Sequence, residues 1–289
     1  MPCAKPASKR SRAFAFSLVA AMLALGAAGA GAAAAPEARR GVLPPPPLPD
    51  AEHYSRCLQQ ANSNPQKAYD DAEAWYAIGG GFPAQHCAAV ALVGLKKYAE
   101  AATQLEGLAN AMLQQGPDMR ADALEQAGQA WLLANQPNQA KTAFDAALAF
   151  KPKDAELLID RAEAFALGGK LFDAIDDLNT VLEQDPKRID ALVYRASAYR
   201  QLGSLDLALD DVERALRLDP NSVAGLLERG NIRRLKNDDA GARADWQRVA
   251  QMAPGSPAAT SAEDNLAHLA EQPSPAGNLL TGPATAKKP

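Results

Sequence analysis

The segment "DAELLIDRAEAFALGGKLFDAIDDLNTVLEQDP", residues 154–186, contains one complete helical hairpin. Asp154 is a residue type that caps helix N-termini, and it precedes an amphipathic stretch that continues to the Gly-Gly pair. Glycine tolerates the left-handed backbone conformation at which helices commonly end. A second amphipathic stretch follows and stops at Pro186. The segment therefore predicts two consecutive helices that pack through their apolar faces.

The same hairpin recurs in four copies with a period of 34 residues. The period is marked by prolines at Pro152, Pro186, Pro220 and Pro254. Four further series of apolar or small residues follow it: Ala140, Ala174, Ala208 and Ala242; Phe144, Leu178, Val212 and Trp246; Gly128, Ala162, Ala196 and Gly230; Ala147, Val181, Ala215 and Val249. One hairpin cannot bury its apolar face alone, so the repeat predicts hairpins that stack on one another.

The pattern resembles the tetratricopeptide repeat family. The matching residues are Leu124, Gly128, Trp131, Ala140, Phe144, Ala147 and Pro152 in one copy, and Leu192, Ala196, Tyr199, Ala208, Val212, Ala215 and Pro220 in another. The resemblance covers residues 121–256 as four units, which are residues 121–154, 155–188, 189–222 and 223–256. It implies an all-α fold, a right-handed superhelical solenoid of antiparallel helix pairs. Arg233 departs from the pattern, because the other copies have an aromatic residue there.

The flanking segments extend this prediction. Residues 51–120 keep a weaker form of the pattern and predict degenerate N-terminal helix pairs, the last helix of which continues to Gln115. Residues 257–271 predict a C-terminal capping helix, which brings the total to about six pairs plus this helix. Residues 272–289 predict a disordered tail.

The N-terminus predicts export. Residues 1–35 combine a basic start, an uncharged middle and a small-residue end, as secretory signal peptides do. We expect cleavage near residues 32–34 and a periplasmic location, while an uncleaved membrane anchor and twin-arginine export remain open. Residues 36–50 contain four consecutive prolines and predict a stiff linker, with a proline-motif ligand as the alternative.

The charge of the chain disfavours two classes of partner. The net charge is −4, and it becomes −8 when residues 1–35, with four basic and no acidic residues, are removed. An acidic chain binds nucleic acid and anionic lipid poorly. The sequence therefore predicts no nucleic-acid partner and no membrane contact beyond the signal segment.

The segment "GGGFPAQHC", residues 79–87, has the composition of a binding site. A phosphate loop needs a preceding strand and a following Lys-Ser/Thr, and neither is present, so the glycines predict a turn between helices. Cys57 and Cys87 are the two cysteines that remain after removal of the signal, and they fall in the first helices of successive pairs. Their exported location predicts a disulfide between them.

Two other sites at these cysteines remain open. His53 and His86, together with Cys57 and Cys87, could form a zinc site, although the adjacent His86 and Cys87 point in different directions from a helix. A catalytic Cys/His pair requires a shared pocket and a third orienting group, which nothing in the sequence marks. We therefore predict no catalytic residue, no metal and no cofactor.

Arginine and aspartate also repeat with the period. Arg161, Arg195 and Arg229 share one register, and Asp177, Asp211 and Asp245 each follow 16 residues later. Both positions are alanine in the first unit, at Ala127 and Ala143, so the two partners are absent together. This predicts three salt bridges, each between the two helices of one unit. Unrelated surface charges are the alternative.

The resemblance implies a concave groove, lined by first-helix residues, that binds a peptide or a partner helix. In this register the lining residues are Asp122, Glu125, Gln129, Glu156, Ile159, Glu163, Val193, Ser197, Arg200, Leu227, Asn231 and Arg234. One end is acidic and the other neutral to basic, which predicts a partner with a basic segment. The Lys, Asn and Arg clamp with which chaperone-binding members hold a terminal carboxylate is missing.

These features predict a non-enzymatic interaction scaffold or adaptor of the cell envelope whose partner is another protein. The competing interpretations are an enzyme or metal carrier built on the Cys/His cluster, and a self-associating structural protein. The sequence leaves the partner and the oligomeric state open.

Overall fold

The computed structural model describes residues 50–271, which form thirteen α-helices and no strand. The helices are α1 (Asp50–Ser63), α2 (Pro65–Ala77), α3 (Gly81–Gly94), α4 (Tyr98–Ala111), α5 (Pro117–Leu133), α6 (Pro137–Leu148), α7 (Ala155–Leu167), α8 (Leu171–Gln184), α9 (Ile189–Gln201), α10 (Leu205–Leu218), α11 (Val223–Leu235), α12 (Asp239–Met252) and α13 (Pro257–Glu271). The prediction of an all-α fold is confirmed for this range. The predicted signal, tail and nearly all of the linker lie outside the described residues.

The chain divides into two compact units, Met1–Ala134 and Asn135–Pro289. In the described part of the first unit, α1 packs on α2 and α3, and α4 packs on α3 and α5. The interior of this unit is built largely from alanine, with Leu92 and Leu105 among its few large buried side chains. Small side chains let the helix backbones approach closely, but they bury little apolar area per helix.

In the second unit, α6 precedes three helix pairs, α7 with α8, α9 with α10, and α11 with α12. The first helices of these pairs are neighbours, since α9 contacts both α7 and α11. The last helix, α13, packs on α12 and on α11, where the first helix of a further pair belongs. The second unit is therefore a stack in which first helices form one layer and second helices another.

The turns inside the pairs repeat as regularly as the helices. One residue with positive φ stands in each turn, at Asn135 (56°), Gly169 (74°), Gly203 (76°) and Asn237 (63°), and these residues are 34 positions apart. Glycine and asparagine are the residues that enter this conformation at least cost. The turn type, and with it the antiparallel arrangement of the three pairs in the second unit, is thus encoded once per repeat.

Two predictions about the helix ends agree with the structure, and one is wrong. The side chain of Asp154 accepts hydrogen bonds from the backbone amides of Glu156 and Leu157, as expected of an N-cap. The glycine run links α2 to α3, as predicted. The extension of α4 to Gln115 is wrong, because Met112 leaves the helical conformation and buries its side chain.

Candidate partner-binding face

The first helices of the second unit lie side by side, and we call the predicted groove residues that they carry the first-helix face. It consists of the predicted residues on α7, α9 and α11, namely Glu156, Glu163, Val193, Ser197, Arg200, Leu227, Asn231 and Arg234. Val193 and Leu227 are half-buried, and Glu156 is exposed. The face therefore has an apolar centre that is still accessible, with charged residues around it.

Ile159 was predicted to line the groove, and this is wrong. Its exposed fraction is 0%, because α7 is packed by α6, α8 and α9 and the side chain belongs to the interior. The same register position carries the half-buried Val193 and Leu227 on the next two first helices. The position in the repeat therefore does not predict which of these three side chains is fully buried.

The α7 side of the face is held together by bonds between neighbouring first helices. Arg188, which precedes α9, forms ion pairs with Glu156 and with Asp190. Its hydrogen bond to Asp190 raises the pKa of Arg188 above the ordinary arginine value despite partial burial. Tyr194 donates a hydrogen bond from its hydroxyl to Glu163 at 3.4 Å. The acidic end of the face is thus partly neutralised within the molecule.

The α11 side contains a polar network. Arg200 donates to Glu228 at 2.6 Å and also contacts the Ser197 hydroxyl at 3.4 Å. Burial raises the pKa of Glu228, and the bonds from Arg200 and Asn231 oppose that rise. The side-chain oxygen of Asn231 accepts hydrogen bonds from Trp246 at 3.2 Å and from Asn265 at 3.0 Å. Arg200 and Asn231, predicted as partner contacts, therefore also connect α9, α11, α12 and α13.

The remaining predicted residues have different surroundings. Arg234 forms an ion pair with Asp239 at 3.0 Å. Asp122, Glu125 and Gln129 lie half-buried on α5, in the first unit. Their role in a common groove with the first-helix face stays a prediction.

The three predicted Arg–Asp pairs all form. Arg161 contacts Asp177 at 2.7 Å, Arg195 contacts Asp211 at 2.7 Å, and Arg229 contacts Asp245 at 2.6 Å, each joining the two helices of one pair. The three carboxylates are buried, with exposed side-chain fractions of 10%, 4% and 5%. In all three pairs two guanidinium nitrogens engage both carboxylate oxygens, which is the strong bidentate geometry.

Two of these arginines also reach the preceding second helix, which sequence reasoning missed. Arg161 donates to Asp145 at 2.8 Å, and Arg195 donates to Asn179 at 2.7 Å. Lys141 and Arg161 hold the pKa of Asp145 below its ordinary value although burial opposes this. The residue in the aspartate register of the preceding unit is Ala143, which offers no acceptor to Arg161. The sequence contains a signal for these bonds, because Asp145, Asn179 and Glu213 are polar acceptors spaced 34 residues apart.

Arg233, the departure from the repeat pattern, has a specific partner. In the two preceding pairs an aromatic ring lies by the arginine, with Phe165 at 5.7 Å from Arg161 and Tyr199 at 5.9 Å from Arg195. Arg233 replaces this ring and donates to Asp245 at 2.8 Å, so that Asp245 accepts from two arginines. The fourth pair therefore substitutes a second ion pair for an aromatic contact.

A family model described as Tetratricopeptide repeat matches residues 119–189 and 193–257. The matched part of the chain belongs to the tetratricopeptide repeat family. A crystal structure of a tetratricopeptide repeat protein from Parabacteroides merdae superposes with a TM-score of 0.60 at 17% identity, over 78% of this chain and 86% of that one. TTC0263, a thermophilic protein of the same type from Thermus thermophilus, gives a TM-score of 0.54 at 18% identity, over 66% and 100%. Both comparisons show the shared fold. A search of curated proteins gives no match.

The N-terminal part of this tetratricopeptide repeat protein, ahead of the matched residues, contains the Cys/His cluster. Cys57 on α1 and Cys87 on α3 form a disulfide with a Cα–Cα distance of 6.1 Å. His53 stacks on Trp75, with ring centroids 4.2 Å apart. In residues 50–271 no three His, Cys, Asp or Glu side chains are grouped to hold a metal ion.

His86 is buried and forms two hydrogen bonds within the first unit. Its Nε2 lies 2.8 Å from the Gln126 side-chain oxygen, and its Nδ1 lies 2.7 Å from the Tyr54 hydroxyl. The amide oxygen can only accept, so Nε2 carries the hydrogen and Nδ1 accepts from Tyr54. Burial lowers the pKa of His86 and raises the pKa of Tyr54 to about 12. Both ring nitrogens are thus engaged in structural bonds.

Among residues 50–271, none of the helices combines the length and the apolar character that a bilayer crossing requires.

Proposed function

We propose that this chain is a non-enzymatic scaffold of the cell envelope that holds a segment of another protein on its first-helix face. The observation that carries the proposal is the layer of α7, α9 and α11, which presents Val193 and Leu227 as a half-buried apolar centre. Stacked helical hairpins provide extended surfaces of this kind for partner chains. An apolar centre with a polar rim is the usual anatomy of a protein interface.

The partner segment carries basic residues next to apolar ones. The chain has a net charge of −4, and Glu156 is exposed beside the apolar centre. A basic side chain of the partner can replace Arg188 as the ion-pair partner of Glu156. Arg188 then keeps its pair with Asp190, so no buried charge is left unpaired. Such contacts favour encounter and specificity, and they weaken as salt screens the charges.

The envelope location rests on residues 1–35 and is supported by the Cys57–Cys87 disulfide. Structural disulfides persist in oxidising compartments such as the periplasm and are rare in the cytosol. Mass spectrometry of the chain from fractionated cells tests this directly. We expect a periplasmic form that begins near residues 33–35. An intact N-terminus in a cytosolic fraction contradicts it.

Site-specific photo-crosslinking in living cells tests the binding face. A benzophenone amino acid at Val193 and at Leu227 should capture the same protein, through peptides rich in lysine or arginine. Thr180, exposed on α8, provides the matched control position. Equal capture from position 180, or different proteins from 193 and 227, contradicts the assignment of this face.

A further inference from the structure

Arg200, on the first-helix face, uses only part of its guanidinium group within the molecule. Its Nε donates to Glu228 at 2.6 Å, and its Nη2 contacts the Ser197 hydroxyl at 3.4 Å. Its other terminal nitrogen, Nη1, forms no hydrogen bond with the part of the chain that the structure describes. Every buried side-chain nitrogen or oxygen in residues 50–271 has a hydrogen-bond partner, so this Nη1 is accessible to solvent.

The bond to Glu228 leaves the terminal edge of the Arg200 guanidinium open. This edge is formed by the two Nη atoms, whose parallel N–H groups match the two oxygens of a carboxylate. The Arg200 side chain has an exposed fraction of 24%, whereas that of Glu228 is 9%. The internal ion pair is therefore the buried part of this contact, and the terminal edge is the part that a partner can reach.

Arg161 shows, within the same unit, that one guanidinium can bind two carboxylates. It donates to Asp177 through Nε and Nη2, and to Asp145 through Nη1. The contact between Arg200 and Glu228 corresponds to the first of these two. The second position, at Nη1, is not filled by any residue in the range 50–271. An acidic side chain supplied from outside completes the same arrangement at Arg200.

Arg200 borders the apolar centre of the first-helix face. Val193 and Arg200 are seven residues apart on α9, so they lie on the same side of this helix, two turns apart. On α11, Leu227 directly precedes Glu228, the residue that Arg200 binds. Arg234 holds the register of Arg200 on α11 and places a second arginine at this end. A segment that covers Val193 and Leu227 therefore passes within reach of Arg200.

The two ends of α9 set the spacing between the charges of such a segment. Glu156, the position proposed for a basic residue of the partner, pairs with Arg188 immediately before α9. Arg188 and Arg200 are 12 residues apart, which corresponds to about 18 Å along a helix. An extended chain that lies along α9 covers this distance with about five or six residues, and a helical one with about twelve.

We propose that Arg200 determines specificity by binding an acidic side chain of the partner segment through its terminal edge. The inference rests on the proposed function, because the same segment places its basic residue at Glu156 and its apolar residues on Val193 and Leu227. The acidic residue then stands about five or six positions from the basic one in an extended segment. The two charges fix the direction of the segment along α9, since the reversed segment brings its acidic residue to Glu156.

Photo-crosslinking from Val193 in living cells tests Arg200 with a matched pair of variants. Glu228→Gln removes the internal carboxylate and keeps the guanidinium. The double variant Glu228→Gln/Arg200→Gln replaces the ion pair by two amides, so that no buried charge is left unpaired. We expect Glu228→Gln to capture at least as much partner as the native chain, and the double variant to capture about tenfold less, because a charge-assisted bond is lost. Urea denaturation should show cooperative unfolding of both variants.

Mass spectrometry of the captured peptide gives a second readout. We expect an aspartate or glutamate about five or six residues from a lysine or arginine, or about twelve residues from it in a helical segment. Equal capture by Glu228→Gln and the double variant, or a captured peptide without an acidic residue, overturns the inference and leaves the proposed function in place. Failure of the native chain to capture a protein from Val193 contradicts the proposed function itself, and the inference falls with it.

Discussion

Arg195 shows how one side chain joins two repeats. Its guanidinium binds both oxygens of Asp211 on its own pair and reaches Asn179 on the preceding second helix. Arg161 repeats the arrangement with Asp177 and Asp145. The planar fork of arginine allows this, whereas the point charge of lysine does not. The period of the sequence therefore carries polar as well as apolar contacts.

Replacing Arg195 by alanine should destabilise the protein by about 3 kcal/mol, because the buried Asp211 loses its bidentate partner and keeps only the longer contact with Arg214 at 3.3 Å. Arg195→Lys should lose much of the same stability. Lys67 provides the control, since it pairs with Asp71 on an exposed surface and its removal should cost at most about 0.5 kcal/mol. Urea denaturation measures all three variants. Equal effects of Arg195→Ala and Lys67→Ala contradict a structural role for the pair.

His86 should make the stability of the first unit depend on pH. Burial lowers its pKa in the folded chain, so the unfolded chain binds the proton more readily. Its stabilising contribution is complete above about pH 6.5, the ordinary histidine value. It falls as the pH drops through this range, by at most about 1.4 kcal/mol per pH unit.

The His86→Gln variant isolates this contribution. Urea denaturation at pH 7 and pH 5 should show a larger loss of stability for the native chain than for the variant. His268→Gln, at an exposed position on α13, should keep the native pH dependence. A native-like pH dependence in His86→Gln shows that other groups cause it.

Where the two helices of a pair cross, the size of the first-helix residue compensates for the size of the second-helix residue that faces it. Gly230 faces Trp246, and a Cβ on Gly230 stands 2.5 Å from the indole nitrogen. One and two pairs earlier, alanine at this first-helix position accompanies Val212 and Leu178. A large second-helix residue thus requires a smaller first-helix residue where the two helices cross.

Gly230→Ala should therefore destabilise by about 1 to 3 kcal/mol through overpacking, even though alanine favours helices. Gly107→Ala is the matched control, because nothing lies within 4 Å of its added Cβ on α4. That change should stabilise the protein by up to about 1 kcal/mol. Thermal unfolding distinguishes the two cases. A neutral Gly230→Ala means that the Trp246 ring moves aside without cost.

For the whole molecule, the period predicts the repeated contacts and misses those that are not repeated. Helix α7 begins after Asp154 and ends at Leu167, as its cap and its glycines indicate, because these signals are local. The network from Arg200 through Glu228 to Asn231 and Trp246 joins four helices through residue types that do not follow the period. Asp160 and Tyr194 occupy the register of Glu228 in the two preceding pairs, and they indicate only that polar groups are tolerated at this position.

The first unit depends most on a covalent bond, because its interior is built from small side chains. The Cys57–Cys87 disulfide closes a loop with a sequence separation of 30 and joins α1 to α3. In the chain-entropy account a loop of this length contributes about 3 to 4 kcal/mol. The double variant Cys57→Ala/Cys87→Ala should therefore lose roughly this stability, measured by urea denaturation. Reduction of the native chain under denaturing conditions followed by thiol blocking should reproduce the loss, whereas the same treatment should leave the variant unchanged. A double variant that unfolds at the native urea concentration shows that alanine packing alone holds α1 on α3.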